Sequence, residues 1–174
     1  MALQIDGAAR KNAVARLFFR FFLCYAAALA VAFLMHRSDL LPQGITQVGV
    51  GESAFVLLAL LAGILTVAKP FLFLLCVGKA FFDASWFFSL VASVALSTQG
   101  VLAFNAAFFY LAFSLFLFAT AAARSCLFAG SVWQRDMQLL CSRQFLHFLL
   151  EAAFFAALSS MLYFIWSPLV TLFA

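Results

Sequence analysis

The stretch SRQFLHFLLEAAFF (142–155) places Arg143, His147 and Glu151 four residues apart. On a helix that spacing lines all three along one face. Glu151 lies about two turns inside an apolar run, where a carboxylate is costly and must meet a partner or water. An imidazole one turn from a carboxylate can pass a proton or hold a ligand. The same three side chains can equally form an ion-pair ladder that docks this helix to Lys69 or Arg20. A second polar group interrupts VAKPFLFLLCVGKAFFDASW (67–86), which carries Lys69, Pro70, Gly78, Lys79 and Asp83 between runs of Phe and Leu. Lys69, His147 and Glu151 are therefore the candidates for an intramembrane polar site. Lys79 and Asp83, four apart, are the candidates for a charge pair at a membrane interface, and Asp83 can alternatively cap a helix.

Little else in the chain could do chemistry. It has no GxSxG or HExxH, the patterns that position a nucleophile or a zinc ion. It also lacks a GxGxxG fingerprint or Walker loop to cradle phosphates. Cys24, Cys76, Cys126 and Cys141 are scattered with no CxxC, and His36 and His147 are far apart. This argues against a disulfide framework or a zinc site. A protein without catalytic activity, cofactor or metal is the expectation.

The elements that must hold these residues are read from composition. The 174 residues are 68% hydrophobic and 9% charged, with 25 Phe and a net charge of +4. Soluble domains carry roughly 25% charged residues, so this chain is short of the polar surface that a water-facing globule needs. An all-α integral membrane protein follows, as a single domain over 1–174. Few segments alternate in polarity, which disfavours an outer-membrane barrel. The basic residues flank apolar runs, as at membrane helices, and do not form a nucleic-acid patch.

About 20 apolar residues cross a bilayer. On that measure the sequence offers five spans with short loops: 17–35, 54–77, 80–97, 101–123 and 145–166. The first is long for a signal peptide and suits a retained span. The linker 36–53 contains Pro42, Gly44, Gly49 and Gly51 and reads as a loop, with Ser53 capping the second helix. Ser97–Gly100 reads as a tight turn, and Ser167–Pro168 closes the last helix. Pro70 kinks or breaks the second span, with Lys69 either snorkelling to the surface or lining a polar pocket. Trp133, Met137, Leu140 and Cys141 form one stripe, consistent with a short interfacial helix or with a solvated loop. Arg10, Lys11, Arg16, Arg20, Lys79, Arg124, Arg135 and Arg143 fall on one side of this layout and only Arg37 on the other. By the excess of Lys and Arg in cytoplasmic loops, the N-terminus is inside and the C-terminus outside. Ala pairs four apart, such as Ala26–Ala30 and Ala152–Ala156, allow helices to approach closely.

The run KPFLFLLCVGKAFFDASWFFSLV resembles the middle of the stage II sporulation protein M family, with Pro70, Gly78 and Ala84 at positions like that family's Pro, Gly and second Gly. FYLAFSLFLFATAAARS, ending in Arg124, and LSSMLYFIWSPLVTLFA are similar to its later segments. The likeness covers roughly 54–174. It departs at Ala84, and at Tyr163, where the family often has an acidic residue. The resemblance implies a bacterial multi-pass membrane scaffold that anchors peptidoglycan hydrolases during engulfment. Its expected partners are the lipid bilayer and other membrane or cell-wall proteins, and not nucleic acid. The competing expectation is a small transporter or channel subunit with a polar site around Lys69 and Glu151.

Overall fold

The computed structural model describes residues 7–37, 48–64, 68–93, 98–134 and 143–173. All the regular structure in these segments is helical: α1 (Gly7–Arg37), α2 (Val48–Leu61, continued by a 3-10 turn at Ala62–Ile64), α3 (Ala68–Ser93), α4 (Thr98–Gln134) and α5 (Arg143–Phe173). Three helices are long and apolar enough to cross a membrane, over Asn12–Met35, Ala68–Phe88 and Phe104–Gly130. Shorter apolar stretches lie in α2 (Ser53–Ile64) and α5 (Phe145–Met161).

Side-chain contacts set the helix directions. Phe21 meets Phe73 and Phe33 meets Phe88, so α1 and α3 run parallel. Trp86 packs on Tyr110 and Phe87 on Phe104, so α4 returns antiparallel to α3. Phe128 stacks on Phe148 with ring centroids 4.1 Å apart, and α5 is antiparallel to α4. The bond between Ser159 and Ser53, together with the approach of Gly63 to Phe148, runs α2 antiparallel to α5. The result is an up-down-up-down-up bundle. Its core joins Phe21, Tyr25, Val56, Leu72, Cys76, Phe118 and Phe155 through a layer of buried alanines. Large apolar side chains cover the outside, among them Phe19, Leu34, Leu74, Phe109, Phe154 and Phe164.

Several boundaries differ from the sequence reading. α2 ends at Leu61 with its 3-10 continuation to Ile64, and α3 begins at Ala68, not at 80, so α3 runs unbroken through Gly78, Lys79 and Asp83. Pro70 is the third residue of α3. The first turn of a helix has no intrahelical acceptors for its N–H groups, so proline sits there without loss and neither kinks nor breaks the span. Val48–Ser53 is helical rather than loop, and Ser53 lies inside α2 instead of capping it. Thr98–Gly100 opens α4, which continues to Gln134 well past 123. α5 passes through Pro168 to Phe173. The proposed interfacial helix lies, from residue 135 onward, outside the described residues.

Candidate functional site

α3 is apolar except for a polar stripe, and that stripe turns inward. Lys79 and Asp83 are one turn apart on the face packed against α1 and α4, and they are 0% and 1% exposed. Lys79 Nζ donates to both carboxylate oxygens of Asp83, at 3.1 and 3.0 Å, and to Ser114 Oγ on α4 at 3.0 Å. Tyr25 on α1 donates its hydroxyl to Asp83 Oδ2 at 2.5 Å. The Phe55 ring on α2 lies 5.9 Å from Lys79 Nζ, within cation–π reach. Four helices thus converge on one ion pair, and each of the three ammonium protons has an acceptor direction.

This arrangement is neutral overall and strongly held. Burying a lone charge is prohibitive, whereas a paired charge with its remaining valences hydrogen-bonded is tolerated. Small neighbours let the helices close around it: Ala28 and Ala32 on α1, and Ala80 and Ala84 on α3, are all buried. The pair therefore belongs to the bundle interior and not to an interface between two helices. A continuous α3 carries Lys79 inward where a turn at 78–79 would have carried it to the surface.

The other candidates lie nearer one end of the bundle, at the start of α3 and in the first half of α5. Lys69, at the start of α3, is exposed, and so is His147 in the second turn of α5. Lys69 is therefore at a helix end and not two turns inside a span. Glu151 forms an ion pair with Arg124 of α4, each side chain about two-fifths exposed. Its partner is neither Lys69 nor Arg20. The antiparallel packing of α4 on α5 sets 124 opposite 151, and no spacing along the chain foretells that. Beside this pair, Arg124 Nε and Ser125 Oγ are buried without a hydrogen-bond partner. Lys69, His147 and Glu151 thus share one end of the bundle but do not join into one enclosed site.

Tyr25 and Ser114 are the members of the buried cluster that sequence reasoning missed. Each is a polar group flanked by apolar residues on its helix, and only the position of Lys79 gives it meaning. Among the described residues no group of three or more His, Cys, Asp or Glu is placed to hold a metal ion. The cluster chemistry is that of a closed charge pair clamped by two hydroxyls. Comparison with protein-family models, with curated proteins and with solved structures gives no match to this chain, so the reading of the site rests on its own geometry.

Proposed function

We propose that this protein is a five-pass integral membrane protein of a bacterial cytoplasmic membrane, without catalytic activity, acting as a scaffold that holds other membrane or cell-wall proteins. The N-terminus is cytoplasmic and the C-terminus extracytoplasmic. The observation that carries this reading is the inverted distribution of polarity. The outer surface is Phe and Leu, while the deepest charges, Lys79 and Asp83, are sealed and neutralised within the bundle. Such a surface suits lipid, and a sealed pair suits a structural role.

The basic residues support the orientation. The N-terminal ends of α1, α3 and α5 lie together, with Arg10, Lys11, Arg16, Arg20, Lys69 and Arg143 on them and Arg124 on the neighbouring part of α4. Peptidoglycan hydrolases as partners are the specific form suggested by the likeness to the stage II sporulation protein M family. The bundle itself supports only the broader reading.

Transport is the second reading, favoured by the presence of a Lys–Asp pair midway along α3. It requires water to reach that pair, and Lys79 is fully covered. The deciding experiment purifies the tagged protein from its native membrane in mild detergent and, in parallel, reconstitutes it in vesicles. The scaffold reading expects resistance to alkaline extraction and a protein partner at fixed stoichiometry. A partner-free preparation that supports flux of a proton or solute across vesicles, lost in Asp83→Asn, would replace it with transport.

A further inference from the structure

Cys24 on α1 and Cys76 on α3 are brought together by the packing that builds the polar cluster. Both carry free thiols. The Cys76 thiol donates to the Phe21 carbonyl at 3.3 Å, one turn before Cys24 on the same helix, and Cys24 packs against the core cluster that contains Cys76. Phe21 and Phe73 pack against each other, with centroids 4.8 Å apart and the rings tilted by 33°. Buried alanines on both helices permit this closeness. The two thiols differ in access: Cys76 is fully buried, whereas Cys24 is half-buried at the edge of the core.

We propose that Cys24 and Cys76 form a redox-modification site, an attacking and resolving thiol pair that closes to a disulfide joining α1 to α3. The oxidant is a small apolar disulfide able to enter from the lipid side. The Cys24 thiolate, having lost its proton, attacks one sulfur of that reagent; the reagent's S–S bond breaks and one small thiol leaves after taking up a proton. Cys76, losing its proton in turn, then attacks the Cys24 sulfur of the mixed disulfide. The second small thiol leaves and the Cys24–Cys76 bond forms. The two cysteines are oxidised by two electrons, and one reagent disulfide is reduced to two thiols. The placement of Cys76 against the turn of α1 that carries Cys24 makes the second step intramolecular and fast relative to a second encounter.

The test treats the full chain in detergent micelles with dithiodipyridine and maps the cysteines by mass spectrometry. The expected result is a peptide joining residues 24 and 76 within one monomer, reversed by dithiothreitol, with no pyridylthio adduct left on either. In Cys76→Ser the adduct should remain on Cys24. In Cys24→Ser, Cys76 should react at least tenfold more slowly than Cys24 does in Cys76→Ser. A stable adduct on Cys24 in the unsubstituted chain overturns the proposal. So does an unreacted Cys24, or a dimer linked through it. Because the unsubstituted chain alone gives the primary readout, misfolding of either variant leaves the result decisive.

Discussion

Lys79 and Asp83 show how one residue pair reports its surroundings. Removing one partner strands the other in an apolar interior, which typically costs about 3–5 kcal/mol. Lys79→Met and Asp83→Leu should each lower the melting temperature sharply in detergent. The double variant strands no charge and should melt above the worse single, which a thermal double-mutant cycle measures. A double variant no more stable than that single would mean the pair is not acting as a unit. Arg124 and Glu151 should behave differently. Both are partly exposed, and exposed pairs contribute about 0–1 kcal/mol. Glu151→Gln should therefore change stability by less than about 1 kcal/mol, and the same melting assay would expose a larger role.

Helix by helix, the sites of close approach and the breaks carry the packing. A Cβ on Gly63 would lie 2.9 Å from the Phe148 ring and 3.3 Å from Ser125 Cβ. Gly63→Ala therefore forces the Phe148 ring, and with it the stacked Phe128, to give way, and overpacking of this kind costs about 1–3 kcal/mol. Gly130, in α4, has nothing within 4 Å of an added Cβ. There the substitution mainly removes the helix penalty of glycine, so Gly130→Ala should stabilise by about 0.5–1 kcal/mol. Opposite signs from two Gly-to-Ala changes in chemical denaturation are the expected outcome. Pro70 supplies another test. Its place in the first turn of α3 means that Pro70→Ala restores no missing hydrogen bond. Stability should move by less than about 1 kcal/mol and the helix axis should stay unchanged. A large stabilisation would place the proline inside a continuous ladder instead.

For the whole molecule, the five-pass reading proposed above puts the two ends of the bundle on opposite faces of a membrane. Single cysteines introduced in 40–50 should label from outside, and those in 130–142 from the cytoplasmic side, in intact cells against permeabilised ones. Residues 40–47 and 135–142 of these segments lie outside the described residues, and the helices on either side of each run antiparallel. At the basic end Lys69 takes the place of Lys79, which is buried in the bundle, so the asymmetry behind this expectation keeps its size. Labelling of both segments from one side would refute the five-pass layout.

Composition by itself determined that the chain is helical and apolar, because too few polar residues exist to coat a water-facing surface. It also determined that the basic residues gather at one end, since flanking charges are local to each apolar run. The four-residue spacing of Lys79 and Asp83 already permitted their pairing. What spacing could not decide was whether the third helix begins before Pro70 or after Gly78. Ala62, Gly63 and Thr66 interrupt the apolar run only weakly, with no charge among them. The polar residues at 78–83 were the more visible punctuation, yet they are interior. Tyr25 and Ser114 supply there the hydrogen bonds that water would supply at a turn. Those donors and acceptors come from helices 58 and 35 residues away. The Arg124–Glu151 pair and the meeting of Cys24 with Cys76 have the same origin. Each depends on the register between helices, which side-chain packing sets and no local pattern encodes.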